Sequence, residues 1–318
     1  MEVRKVNGFF IIFVIGYIGL SVVCASIMAY AQNSGIAVPD WIQYVMSEGI
    51  ILLIAIIYMI VQKIDPIREI PYKRIGIVDV ILSLVAGYCL IPAVLLISNL
   101  SMLFSTNYLE EGTTTLLTYP FAMQVILLAV IPPLVEELIF RGIFFGSYRK
   151  AGMTGAALMS GLLFGCFHLN INQALYALVM GIVFAYMVEA TGSLWSSVIA
   201  HFAVNTYSIG IVQILKMAGI YAQDGSVSET FENAESVAGQ STAVTVVQIA
   251  MIAVIAAVFM MLAVLCIRTM AKRHGNLEKM KIQKVKLSHI KNYFTAPVIV
   301  GIVVCVMYMI MLEFSGTL

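Results

Sequence analysis

The sequence predicts an all-α protein, a polytopic transmembrane helix bundle of about eight or nine spans. Hydrophobic residues make up 61% of its 318 residues and charged residues only 11%, whereas a soluble domain carries roughly 25% charged residues. The mean hydropathy is +0.98. The apolar runs are long and continuous, without the period-two alternation of a transmembrane barrel. We therefore expect a single integral membrane domain over residues 1–318.

Three spans are predicted in the first third of the chain, over residues 8–31, 41–62 and 76–104. The first is too long for a signal-peptide core of roughly 7–15 residues and long enough to cross a bilayer. Glu48 lies within the second span and Asp79 at the start of the third. We expect both of these, and Glu189 farther along, to have structural roles.

Six further spans follow, and a core of four of them contains the polar residues that could carry chemistry. Their predicted limits are 119–147, 152–169, 173–190, 194–216, 242–267 and 294–313. No internal repeat is visible, although paired repeats are common in transporters.

The distribution of basic residues predicts the orientation of the chain. With the N-terminus inside and nine alternating spans, all of the 18 Lys and Arg residues except Arg141 and Lys216 lie at the inner side. The acidic loops 105–118 and 218–241 then lie outside, as the positive-inside rule requires. The basic segment 268–292 would contact anionic lipid headgroups. We expect a multi-pass protein of a bacterial plasma membrane with a cytoplasmic N-terminus. The net charge of +1 gives no indication of a nucleic-acid partner.

The fourth predicted span contains two adjacent carboxylates and a guanidinium. Placing a charged group in hydrocarbon costs at least ~2.5–3.5 kcal/mol of free energy. The presence of Glu136, Glu137 and Arg141 in this span therefore indicates a structural or functional role. Glu137 and Arg141 are separated by one helical turn and can pair. Adjacent residues point about 100° apart on a helix. Glu136 therefore projects elsewhere and is free for chemistry.

Two later spans contribute histidines at a similar depth. His168 lies at the end of the fifth span, and His201 and Asn205 share one face of the seventh. A carboxylate and a histidine can hold and deprotonate a water molecule. A His–Asn pair can donate hydrogen bonds to the oxyanion of a tetrahedral intermediate. These parts together predict hydrolysis of amide bonds within the membrane.

Three motifs in this order resemble those of the CAAX prenyl protease and bacteriocin-processing family (CPBP, once called Abi), whose members are intramembrane endopeptidases. The motifs are Glu136-Glu137-x-x-x-Arg141, Phe164-x-x-x-His168 and His201-x-x-x-Asn205. The resemblance covers a catalytic core at about residues 119–210. It implies that Glu137 and Arg141 are structural or position the substrate.

The resemblance also implies the roles of the other four residues. Glu136 and His168 would activate the water, and His201 and Asn205 would form the oxyanion hole. We expect no cofactor. A zinc site remains the alternative, because Glu136, His168 and His201 could supply three ligands, although the chain has no HExxH motif.

Two other function classes compete with a peptidase that acts on protein or peptide substrates. One is a catalytically silent immunity or scaffold protein, and the other is an ion or proton transporter that uses Glu136 as a relay. A simpler interpretation of the charged motif is a structural ion-pair network. His274 and His289, in the basic segment, are expected to be solvated. The oligomeric state is not indicated by the sequence.

Overall fold

A computed structural model describes residues 3–106, 119–219, 242–282, 285 and 287–315 of the chain. Within these residues the regular elements are helical, and this confirms the predicted all-α class. The predicted acidic loops lie almost wholly outside the described residues. In chain order the helices are α1 (Val3–Asn33), α2 (Trp41–Val61), α3 (Pro66–Glu69), α4 (Ile77–Ser101), α5 (Phe121–Ala151), α6 (Met153–Phe167), α7 (Ile171–Thr191), α8 (Trp195–Met217), α9 (Thr242–Arg273), α10 (Leu287–Tyr293) and α11 (Ala296–Ser315).

Eight helices of the described part are long and apolar enough to cross a membrane, so the chain is a multi-pass membrane protein. The fifth predicted span, 152–169, corresponds to α6, which has only 15 residues. At 1.5 Å per residue such a helix is about 22 Å long, shorter than a hydrocarbon core of about 30 Å. Helix α6 therefore ends inside the thickness of the bundle, where the chain turns back into α7.

Aromatic side chains pack α1 and α2 against the second half of α5. The Phe9 ring stacks on Tyr58 with centroids 3.9 Å apart and on Phe144 at 5.4 Å. Phe13 meets Phe140 edge to face at 6.2 Å. Offset-stacked and edge-to-face arrangements are the favourable ones for aromatic pairs. The helices outside the predicted catalytic core thus hold the charged helix α5 in place.

An ion cluster joins α4 to the end of α9. The carboxylate of Asp79 is buried and contacts Arg273 Nε at 3.1 Å and His274 Nε2 at 3.0 Å. The structural role expected for Asp79 is consistent with these contacts. His274 is exposed, as expected, and its imidazole also contacts a buried carboxylate because the end of α9 lies against the start of α4. His289 lies where the structure describes no side chains.

Helices α6 and α7 approach each other closely because glycines face each other across them. A Cβ atom on Gly161 would lie 2.7 Å from the carbonyl oxygen of Leu178, and one on Gly181 would lie 2.7 Å from the Cα of Gly161. The same Cβ on Gly181 would lie 3.0 Å from Nη2 of Arg141. Small residues of this kind let helix backbones approach in a membrane. Here they also leave space for a guanidinium.

Helix α5 is not a regular α-helix along its whole length. A central α-helical stretch, Ile131–Glu137, lies between two π-helical stretches, Val125–Val130 and Leu138–Phe145. Pro132 and Pro133 begin the central stretch, and a proline has no N–H for the helix ladder. Single π-helical turns are rare and occur mostly at functional sites. The irregular helix is the one that carries the two glutamates.

Candidate active site

The paired charges of α5 lie at the centre of the bundle. Arg141 Nη1 donates a hydrogen bond of 2.8 Å to Glu137 Oε1, and both side chains are fully buried. This contact agrees with the one-turn spacing in the sequence. The Arg141 guanidinium lies 4.2 Å from the ring centroid of Phe164 and 5.3 Å from that of Phe184. Because an aromatic face attracts a cation, two rings complement a guanidinium that has one carboxylate partner.

His201 is held between the two glutamates. Its Nδ1 lies 3.1 Å from the same Oε1 of Glu137 that accepts from Arg141. Its Nε2 lies 3.7 Å from Glu136 Oε2, which is beyond hydrogen-bond distance. An ionised carboxylate only accepts hydrogen bonds, so Nδ1 is the donor to Glu137. Glu137 therefore orients the ring and directs Nε2 towards Glu136, a contact that helical spacing alone did not predict.

His168 follows the last residue of α6, and a backbone carbonyl of that helix holds its side chain in place. Its Nδ1 lies 2.8 Å from the carbonyl oxygen of Phe164. A carbonyl cannot donate, so Nδ1 carries the hydrogen and Nε2 keeps a lone pair in the neutral ring. The chain reverses at Leu169, which has a φ of +54°, an uncommon value for a residue other than glycine. Asn170 then caps α7 by accepting from the Gln173 N–H at 3.1 Å. This turn places a basic nitrogen at the end of a short helix.

Asn205 makes a hydrogen bond that follows from the two prolines of α5. Its Nδ2 donates to the carbonyl oxygen of Leu128 at 2.9 Å. In an α-helix that carbonyl would accept from residue 132, and in a π-helix from residue 133. Both are proline, so neither can donate. Asn205 supplies the missing hydrogen bond and retains a second N–H on the same nitrogen.

The predicted catalytic side chains line one cavity of about 800 Å³. Glu136, His168, His201 and Asn205 all contribute to its wall. Glu136 has 15% of its side chain exposed, whereas Glu137 is fully buried behind it. Among the described residues no hydrogen bond joins Glu136 to His168. The structure thus brings the three motifs together and places Glu136 nearest to His201.

The chain was compared with known proteins. Residues 118–207 match the model of a family described as type II CAAX prenyl endopeptidase Rce1-like. This stretch, hereafter called the Rce1-like domain, is similar to that family over less than a third of the chain. It contains the residues of all three motifs, and the predicted resemblance is confirmed.

The chain is also 33% identical, over 88 residues, to the Bacillus subtilis (strain 168) protein named "Putative membrane peptidase YdiL". That similarity covers 27% of this chain and 36% of the relative, so the chain spans about a third of the length of the curated relative it matches. No solved structure matches the chain significantly.

One carboxylate in the cavity wall lies outside the Rce1-like domain, and we expected only a structural role for it. Glu48, on α2, is part of the wall, and its Oε2 is buried without a hydrogen-bond partner. No motif surrounds Glu48 in the sequence. The only signal available there was a carboxylate within an apolar span, which suggests function by default.

The arrangement of Glu136, His168 and His201 bears on whether they could form a zinc site. Within the parts of the chain that the structure describes, no group of three or more His, Cys, Asp or Glu side chains is arranged to hold a metal ion. Glu136 and His201 are neighbours, whereas among the described residues no ion pair or hydrogen bond joins His168 to either of them. The side chains of the Rce1-like domain in this arrangement do not form a ready three-ligand site.

Proposed function

We propose that the protein is an intramembrane endopeptidase that hydrolyses peptide bonds of membrane-associated or lipophilic proteins and peptides. The main support is that Glu136, His168 and His201 line one cavity among membrane-spanning helices. A carboxylate, a basic imidazole and hydrogen-bond donors are the groups that addition of water to an amide needs. The Rce1-like domain that contains all of these residues supports the same reaction.

The proposed reaction uses each side chain at a stated atom. A water molecule in the cavity would be held by Glu136 and by the lone pair on His168 Nε2, and it would lose a proton to Glu136 as its oxygen adds to the scissile carbonyl. The resulting oxyanion would accept hydrogen bonds from the second N–H of Asn205 and from Nε2–H of His201 in its imidazolium form, because the ring's other hydrogen, on Nδ1, is donated to Glu137. Glu136 would return the proton to the leaving nitrogen as the C–N bond breaks.

Cleavage of peptides by the purified protein tests this proposal. We expect mass spectrometry to find new termini in a library of hydrophobic peptides incubated with the protein in lipid vesicles. The Glu136→Gln variant, purified to the same folded yield, is the control for a contaminating protease. Products that form equally with both proteins would contradict the proposal.

We predict that Asn205→Ala lowers kcat by about 10²–10³ with little change in KM. Removing one oxyanion-hole donor typically has an effect of this size. The variant also leaves the Leu128 carbonyl without its donor, so its thermal unfolding is measured alongside. Thr206→Ala, one residue farther along α8, is the control, because it removes a hydroxyl that hydrogen-bonds to its own helix and to Tyr88 on α4 and is not part of the cavity wall. A reduced Tm with unchanged kcat would mean that Asn205 only completes the hydrogen bonding of α5 and has no part in catalysis.

We predict that catalysis needs no metal ion. Under the proposed reaction Asn205 and His201 act on the oxyanion, and no step requires a Lewis acid. Activity should therefore survive exhaustive chelation, and purified protein should contain far less than one equivalent of zinc. Loss of activity on chelation that zinc alone restores would replace this mechanism with a zinc mechanism, with Glu136, His168 and His201 as ligands.

We also propose that the N-terminus is cytoplasmic and that the membrane is a bacterial plasma membrane, because the basic residues segregate to one side of the spans. The cavity then opens outwards, since its wall includes Tyr44 near the start of α2 and Leu312 near the end of α11.

In a variant without the five native cysteines, a cysteine at exposed Ile36 should react with an impermeant reagent in whole cells. A cysteine at exposed Ile67 should react only after lysis. The opposite pattern would reverse the proposed orientation.

A further inference from the structure

The cavity contains a carboxylate that the proposed reaction does not use. Glu48 lines the cavity from α2, a helix that packs against the central stretch of α5 where Glu136 lies. Its Oε2 is inaccessible to solvent and has no hydrogen-bond partner. A carboxyl oxygen that loses water without gaining a partner is destabilising. In the protein without a ligand, Oε2 of Glu48 therefore lacks a hydrogen-bond donor.

The surroundings of Glu48 do not supply a counter-charge. Among the residues that the structure describes, the cavity wall includes no Lys or Arg side chain. The neighbouring hydroxyls of Tyr17 and Ser47 hydrogen-bond to each other at 3.0 Å. The fully buried Arg141 is paired with Glu137 and is not part of the wall. A cavity with two carboxyl groups, a mostly apolar lining and, among the described residues, no basic side chain except the imidazoles of His168 and His201 favours a ligand that brings its own positive charge.

We propose that Glu48 is a specificity residue that binds a protonated nitrogen of the peptide substrate, from a Lys or Arg side chain or from a free N-terminus. This inference rests on the proposed peptidase function. A charge-assisted hydrogen bond from such a group would satisfy the unpartnered oxygen. The apolar residues around it would accommodate the hydrophobic remainder of the peptide.

The position of Glu48 favours substrate binding over a part in the chemical step. Glu48 makes no hydrogen bond to Glu136, His168 or His201 among the described residues, and it lies on a separate helix. A group that touched the reacting atoms would affect every substrate alike. A group that binds a cation distinguishes substrates by charge.

Binding to an inactive protein tests the proposal without depending on catalysis. The probes are a fluorescent hydrophobic peptide with one Lys, its norleucine counterpart, and both of these with an acetylated N-terminus. With Glu136→Gln in vesicles, we expect the Lys peptide to bind roughly tenfold or more tightly than the norleucine peptide. In Glu136→Gln/Glu48→Gln this ratio should fall to about one. If the Lys and norleucine peptides instead bind alike and acetylation weakens both, the bound group is the N-terminus.

A charge reversal and a kinetic ratio complete the test. Glu48→Lys should reverse the preference towards a peptide with Glu in place of Lys. In the active protein, Glu48→Gln should lower the ratio of kcat/KM for the Lys and norleucine peptides, mainly through KM. An equal loss of kcat for both peptides would overturn the proposal and make Glu48 part of the chemical step. A charge preference that Glu48→Gln leaves unchanged would also overturn it. If the wild-type protein cleaves nothing, the proposed function fails, and the binding ratio still decides the role of Glu48.

Discussion

Replacing Glu136 with Gln is expected to lower kcat by about 10²–10⁴, the usual contribution of general acid–base catalysis. The amide has nearly the same shape but cannot take a proton from water or return one to the leaving nitrogen. The contact of Glu136 with His201 is 3.7 Å long, so the substitution breaks no hydrogen bond. We expect KM and Tm to change little. Single-turnover kinetics at saturating peptide measure the chemical step directly.

The matched control for this prediction is Glu48→Gln, the same substitution on another carboxylate of the cavity wall. With a norleucine peptide its effect on kcat should be far smaller than that of Glu136→Gln. Near-normal kcat for Glu136→Gln at equal folded yield would show that the base is another residue. His168 would then be the first candidate, because its Nε2 is left free by the hydrogen bond from Nδ1 to Phe164.

Replacing Arg141 with Met is expected to destabilise the folded protein by about 3–5 kcal/mol, the usual result of removing one partner from a buried ion pair. The substitution leaves the Glu137 carboxylate fully buried, with only His201 as a partner. We expect a reduced yield of folded protein and a lower midpoint of unfolding in mixed detergent micelles. Activity should also fall, because Glu137 orients His201.

Two further variants separate charge from packing. The double variant Glu137→Gln/Arg141→Met should recover much of the lost stability, because it leaves neither charge uncompensated. Arg68→Gln is the comparison at an exposed pair, where Arg68 is 86% exposed and lies 3.3 Å from Asp65, which is 46% exposed. Exposed pairs contribute about 0–1 kcal/mol, so this loss should be small. An Arg141→Met protein as stable as the wild type would mean that Glu137 is neutral in the folded protein.

The spans and the Glu137–Arg141 contact were predictable because both depend on local regularities. Continuous apolar runs identify membrane helices, and a separation of one turn places two side chains together on any helix. The position of His201 between two glutamates was not predictable in this way. It depends on the rotation and tilt of α8 against α5, which packing sets and sequence spacing does not.

Other features were missed for different physical reasons. The Asn205–Leu128 hydrogen bond could have been inferred from the prolines at 132 and 133, since together they remove both helical donors from one carbonyl. The contact of His274 with Asp79 needed knowledge of which helices are neighbours. Glu48 could not be placed in the cavity from sequence, because α2 has no motif that relates it to α5.

The contacts between α5 and α8 also bear on how the chain enters the membrane. Glu137 and its partner His201 are 64 residues apart, and Leu128 and its partner Asn205 are 77 residues apart. During synthesis α5 therefore reaches the translocon with two carboxylates and an orphan carbonyl, long before α8 emerges. Only Arg141, within the same helix, is available at that stage. Helix α5 must therefore stay at the translocon or in a water-accessible position until α8 arrives. The contacts with α8 then allow α5 to move into the lipid.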